Sequence, residues 1–183
     1  MISVADNKVA LLRGINVGGK NILPMQELRE ILGELGCQSV ATYIQSGNVV
    51  FRSKRKSNGL ARSLSKAIEK RFGFAPSVLI MSAATFEGIA EANPYVARAA
   101  EPKHVHTLFL AGPANDADLE RLHERKSSSE EFTLTDAAVY LHAPDGIARS
   151  KLASEMERHL GVSATGRNQR TVEKLQAMLA EMA

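Results

Sequence analysis

The residues of this chain whose types and spacing could do chemistry are cations and amides gathered just ahead of expected helices. Lys20 and Asn21 precede a helix expected from Pro24, Arg149 and Lys151 flank Ser150, and Arg167 and Arg170 precede Thr171. Helix N-termini carry partial positive charge and ordinarily attract Asp or Glu into the first turn. Cations placed there are unfavourable without an anion, whereas amides, hydroxyls and guanidinium groups together make a phosphate or carboxylate site. Ser150 and Thr171 are N-cap residue types that would add hydroxyls. On this reading Arg13, Lys20, Arg149, Lys151, Arg167 and Arg170 donate to the anion, and Asn16, Asn21, Asn48 and Asn168 orient its polar groups. The blander alternative has the arginines facing water or pairing with Glu27, Glu155 and Glu173. These polar stretches contain no Glu, Asp or His apart from Asp145 and His142 at one edge, so no catalytic residue is assigned. Binding, or chemistry supplied by the substrate itself, is the expectation.

The glycine loop "RGINVGGKN", Arg13 to Asn21, comes within one residue of Gly-x4-Gly-Lys-[Ser/Thr], the loop that cradles nucleotide phosphates. A P-loop places its lysine and hydroxyl residue in the first turn of the following helix. Here Asn21 replaces the hydroxyl residue, Ile22 and Leu23 intervene before Pro24, and no strand ends in a suitable magnesium-binding aspartate. The stretch is instead read as a strand-to-helix connection whose glycines permit positive φ or close packing.

Weaker constellations are set aside. His104 and His106 alternate on an expected strand and His142 comes from another, so three imidazoles could meet, but no carboxylate joins them at a metal-ligand spacing. No metal and no cofactor is expected. Ser46 sits in Gln-Ser-Gly-Asn and not in a Gly-x-Ser-x-Gly elbow. Cys37, the only cysteine, excludes an internal disulfide and reads as a bland free thiol. Met156, Met178 and Met182 fall at helical spacings and read as helix-contact residues.

The net charge of +3 conceals a strong asymmetry, because residues 52–71 hold eight cations against Glu69 alone. Arg62, Lys66 and Lys70 recur at four-residue spacing opposite Leu64 and Ile68. A solvated helix face is the plain reading, and a track for a nucleic-acid backbone is the alternative. Against that alternative, the aromatic ladder of an RNA-reading sheet is missing, with only Tyr43 and Phe51 close by.

The elements that must position these residues follow from periodicity. Lys8 to Arg13 reads as a buried strand; Leu28, Ile31, Leu32 and Leu35 mark a helical face stopped by Gly36. "ATYIQSGNVVF" reads as a hairpin with a type II′ turn at Gly47-Asn48. Leu60, Leu64, Ala67, Ile68 and Phe72 give a helix ended by Gly73, followed by the strand "SVLIM" and the helix "AATFEGIAEAN". The second part repeats this order: "HVHTLFL", "ADLERLHERK", "EFTLTD" with "AVYLHAP", "SKLASEMERHLG" and a last helix from Thr171 to Met182. "ARS" recurs at 61–63 and 148–150. "VSATGRNQ" occupies the place of a final strand but is far more polar. The expectation is a duplicated α+β unit, residues 1–97 and 98–183, sharing one compact body. A length of 183 residues and 44% hydrophobic content suit this. No apolar stretch approaches the roughly 20 residues of a bilayer span, and "MISVADNKVALL" lacks a secretory pattern, so a cytoplasmic protein without a membrane partner is expected.

"ALLRGINVGGKNILPMQELREIL", "YIQSGNVVF", "HAPDGIARSKL" and "TGRNQRTVEKL" resemble the signature blocks of the bacterial family called domain of unknown function 1697. The resemblance spans essentially the whole chain. It implies two α+β subdomains related to a ferredoxin-like duplication, and no reaction, cofactor or ligand. It places Arg13, Asn16, Gly18, Gly19, Lys20 and Asn21 in one motif and Gln45, Ser46, Gly47 and Asn48 in a second. Arg149, Ser150 and Lys151 make the third, and Thr165, Arg167, Asn168, Arg170 and Thr171 the fourth. Gln169 stands where this resemblance leads one to expect tryptophan. The functional expectation is a small phosphorylated or carboxylated anion bound in a cleft between the halves. The alternative partner is nucleic acid, through the basic segment.

Overall fold

A computed structural model describes residues 6–99 and 101–182 of the chain. Of the N-terminal stretch read for a secretory pattern, residues 1–12, the first five lie outside this range. The protein is mixed α+β, with two four-stranded antiparallel sheets and six α-helices among the described residues. Two compact units account for the chain: residues 1–87 with 174–183, and residues 88–173.

The first unit holds β1 (Asp6–Arg13), α1 (Met25–Glu34), β2 (Gln38–Tyr43), β3 (Asn48–Ser53), α2 (Ser57–Phe72) and β4 (Ser77–Ser82). Its sheet runs β2-β3-β1-β4. The apolar run Val9 to Leu12 forms the central strand β1, pairing Val9 with Val50 and Met81 in antiparallel register on its two sides. All four residues are buried, which explains an apolar run that does not alternate. Ala10, Leu12, Val49 and Phe51 face Leu28, Ile31 and Leu32 of α1 and Leu60, Leu64 and Ile68 of α2 in one core. Spacings of three and four residues put those leucines and isoleucines on one side of each helix. Gly73 closes α2 in the left-handed conformation, φ 79°, which glycine adopts without a Cβ penalty.

The second unit holds β5 (Val105–Leu110), α4 (Leu119–Arg125), β6 (Glu131–Leu134), β7 (Ala138–His142), α5 (Lys151–Leu160) and β8 (Ala164–Asn168), with sheet order β6-β7-β5-β8. α3 (Ala83–Glu91) and α6 (Gln169–Ala180) are the two elements within which the division of the chain falls. Leu108, Leu110, Val139 and Leu141 pack with Leu122 of α4 and with Leu152, Met156 and Leu160 of α5. The polar stretch "VSATGRNQ" does become the final strand. β8 is held by backbone pairing to β5, from Leu110 opposite Ala164 to His106 opposite Asn168. Its pattern is weak because it is an edge strand with Gly166 where a core side chain would otherwise stand.

Three local expectations are corrected. The hairpin exists, but its turn is the four residues Ile44 to Gly47: Asn48 already pairs with Tyr43 as the first residue of β3. The two "ARS" triplets are not equivalent, since the first lies inside α2 and the second ends at the N-cap of α5. Thr171 is not a cap: α6 begins at Gln169, and the Asn168 side chain accepts the Thr171 amide at 3.0 Å.

Candidate functional site

The first two motifs come together inside the first unit. The loop after β1 contains five left-handed residues, Gly14, Asn16, Gly18, Gly19 and Asn21, with φ between 51° and 76°. Asn and Gly are the residue types that occupy this region at least cost. The Asn16 side chain then bolts the loop to the hairpin: its Nδ2 donates to the carbonyls of Leu23 (2.9 Å) and Gln45 (2.8 Å), and its Oδ1 accepts the Leu23 amide (2.8 Å). Asn21 Nδ2 donates to the Gly14 carbonyl, and Asn48 Nδ2 to the Tyr43 carbonyl and Ser46 Oγ. Gly47 lets two backbones meet. Its carbonyl accepts the Leu12 amide at 2.9 Å, and a Cβ there would lie 2.6 Å from Leu12 Cβ.

This platform is not a phosphate-wrapping loop. The Lys20 amide is committed to the Val17 carbonyl at 3.0 Å, and α1 starts only at Met25, so no row of helix-terminal amides surrounds the lysine. The platform instead carries exposed Lys20 and three exposed aliphatic side chains, Val17 (68%), Ile22 (56%) and Ile44 (52%). Ile44 also has φ 47°, a conformation that a β-branched residue seldom adopts.

The third motif lies in the second unit, on a cleft of about 430 Å³. Its walls include Arg125, Ser127, Glu130, Asp145, Arg149, Ser150 and Lys151. A 3₁₀ turn, Ile147–Arg149, leads into α5, and Ser150 caps that helix by accepting the Ala153 amide at 2.9 Å. The three acids on the walls are held by neighbours: Glu124 pairs with Arg121 at 2.7 Å, Asp145 accepts from Ser129 Oγ at 2.6 Å, and Glu130 from the Ser127 amide at 2.9 Å. Arg125 pairs with Glu155 at 3.0 Å. Arg149 and Lys151 are exposed and make no ion pair among the described residues. Glu124, Arg125, Ser127 and Glu130 are wall residues that sequence reasoning missed, and Asp145 was noted only at the edge of the third motif.

The fourth motif lies at the junction of β8 and α6 and does not line this cleft. Arg167 Nη1 donates to the Gly166 carbonyl at 2.8 Å, and burial pulls its guanidinium down to about 10. Arg170 reaches Glu101 at 3.9 Å, and Gln169 Nε2 donates to Glu173 at 3.2 Å. The carboxylates offered as arginine partners are thus used differently: Glu27 holds Arg71, Glu155 holds Arg125 and His159, and Glu173 takes the Gln169 amide.

The three imidazoles do not gather. His104 precedes β5 in a 3₁₀ turn, His106 pairs opposite Leu141, and His142 pairs opposite Val105, which puts His106 and His142 on opposite faces of the sheet. His106 is buried, its Nε2 has no hydrogen-bond partner among the described residues, and desolvation together with the nearby His104 lowers its pKa to about 4. The other face of that sheet carries a polar network that sequence reasoning did not find. Asn93 Nδ2 donates to Thr107 Oγ1, Tyr95 and Thr133 share a hydroxyl contact of 2.8 Å, and Tyr140 OH donates to the Ile89 carbonyl. Cys37 is a buried free thiol; burial pushes it up against the opposing pull of Ser53, Arg55 and Lys8, so it is a poor nucleophile.

Among the described residues, no helix is long and apolar enough to cross a membrane. The fold closely follows a solved structure, that of the conserved bacterial protein SP0830 from Streptococcus pneumoniae, with a TM-score of 0.72 and 26% identity over 96% of this chain and 99% of that one. A search of curated proteins finds no match. Residues 6–140, which carry the glycine loop and the hairpin of the platform, match the family described as "Protein of unknown function (DUF1697)", and the chain belongs to that family.

Proposed function

We propose that this is a cytoplasmic binding protein built from duplicated ferredoxin-like halves, and that its ligand is a small phosphorylated or carboxylated anion. The shared β-α-β-β-α-β order and the matching strand orders of the two sheets support the duplicated ferredoxin-like reading. The observation that carries the ligand assignment is the cleft of about 430 Å³ in the second unit. Its size lies in the range of small-molecule sites, roughly 300–1,000 Å³. Glu124 is ion-paired with Arg121, and Glu130 and Asp145 are hydrogen-bonded to neighbouring groups, while Arg149 and Lys151 at the start of α5 have no carboxylate partner among the described residues. An anion seated there meets two cations and the positive end of a helix. The acids among the wall residues favour a ligand that also bears hydroxyl or amine groups, a sugar phosphate more than inorganic phosphate.

The test is a thermal-shift and calorimetric panel of sugar phosphates, small carboxylates and inorganic phosphate. A ligand that binds only the folded state raises the melting temperature. The expected result is a selective shift that Arg149→Ala with Lys151→Ala erases. A selective sugar-phosphate or carboxylate shift that survives this double substitution, or no shift from either of those two classes, overturns the assignment.

A further inference from the structure

We infer that the first unit carries a separate phosphate pocket at the head of the basic segment 52–71, and that it holds a phosphate of a nucleic-acid strand. The pocket encloses about 170 Å³ and is lined by Leu35, Gly36, Gln38, Arg52, Ser53, Lys54 and Arg55. Three of these are cations and none is an acid. A volume well below that of a small-molecule site suits one oxyanion and not a whole nucleotide.

The way the arginines are held carries the argument. Arg71, Arg98, Arg121 and Arg125 all pair with carboxylates. Among the described residues, Arg52 and Arg55 have no carboxylate partner. Arg52 donates to Asn7 Oδ1 and to the Met182 carbonyl, and Arg55 donates to the Leu35 carbonyl and Ser63 Oγ. Neutral acceptors fix both guanidinium groups in place while leaving their charge uncompensated, which is the preorganised arrangement an oxyanion requires. The α2 helix adds to the field, because its first turn has no acid and Lys56, at its cap position, has no oxygen to offer.

The carrier of the phosphate follows from what lies beyond the pocket. Ser63, which anchors Arg55, shares a helix face with Lys66 and Lys70, three and seven residues on. Arg62, Lys66 and Lys70 are exposed and unpaired among the described residues. A line of cations leaving a phosphate-sized pocket matches a ligand with repeated phosphates, not a free one.

The experiment uses the whole chain, a dye-labelled single-stranded RNA of mixed sequence, and inorganic phosphate as the minimal probe. The wild type is expected to bind RNA with affinity that falls steeply with salt, and inorganic phosphate to compete. Lys54→Ala with Arg55→Ala, both exposed positions, should weaken RNA binding by about tenfold, lower the log–log salt slope by about 1.4, and abolish phosphate competition. Arg62→Ala, Lys66→Ala and Lys70→Ala together should weaken RNA binding while leaving the thermal shift with inorganic phosphate intact. The Arg149→Ala, Lys151→Ala protein should bind RNA as the wild type does, which separates this site from the cleft of the second unit. RNA and phosphate binding unchanged in the Lys54→Ala, Arg55→Ala protein would overturn the pocket. A phosphate response without RNA binding by the wild type would overturn the strand as its source.

Discussion

In the platform of the first unit, Asn16, Asn21 and Asn48 turn their amides onto carbonyls of their own loop and turn. In the cleft of the second unit, Arg149 and Lys151 border open volume with no carboxylate partner among the described residues. Both regions connect a strand to a helix, and both drew notice as polar motifs. The difference lies in reach and conformation. A short amide on a left-handed residue falls back on the adjacent backbone, whereas a long cation on an exposed turn extends away from it. Polar residues flanked by glycines are therefore better evidence of a built turn than of a ligand. Cations beside a capped helix start, with a cavity in front, are better evidence of a site.

Substitutions can break this contrast, beginning with the largest effect. Gly47→Ala places a Cβ 2.6 Å from Leu12 Cβ at φ 75°. It should cost about 4 kcal/mol in chemical denaturation, combining left-handed strain with overpacking. Asn16→Ala removes three hydrogen bonds and should cost about 3 kcal/mol. Asn16→Asp, which keeps the acceptor for the Leu23 amide, should recover part of that loss. An Asn16→Ala protein of wild-type stability that loses a ligand would transfer the functional assignment to the platform.

His106 supplies the pH test. Its pKa falls on folding from 6.5 to about 4, so between those values the unfolded chain binds more protons than the folded one. Stability should accordingly fall as pH drops through that window, by about 2–3 kcal/mol in all, and be unaffected by this group at higher pH. His106→Leu should flatten the dependence measured by urea denaturation at pH 7, 5 and 4. A slope that persists would assign it to other groups. Ser150→Ala removes the cap of α5 and should cost about 1 kcal/mol. The smallest stability effect, within about 0.5 kcal/mol, is expected for Arg149→Ala with Lys151→Ala, since both are exposed; their loss should register in ligand binding alone.

Much of the fold was legible because apolar spacing and stop residues act locally. Leu60, Leu64 and Ile68 marked α2, Gly73 ended it, and Val9 to Leu12 marked a strand covered on both faces. The turn at Ile44 to Gly47 was misplaced because a four-residue loop with a left-handed isoleucine has no sequence signature, while Gly-Asn imitates a two-residue turn. The polar β8 was doubtful from its pattern, since what holds it is the backbone of β5.

The sequence by itself determined the order and kind of the elements, the family, and where charge accumulates, because each of these depends on neighbours along the chain. Only the tertiary structure decided which polar groups are spent and which remain available. It turned Asn16 into a bolt between loop and hairpin, moved His142 to the face away from His106, and left Arg52 and Arg55 held by neutral acceptors. Those outcomes depend on which distant backbone groups and carboxylates come within hydrogen-bonding distance, and no spacing along the chain encodes that.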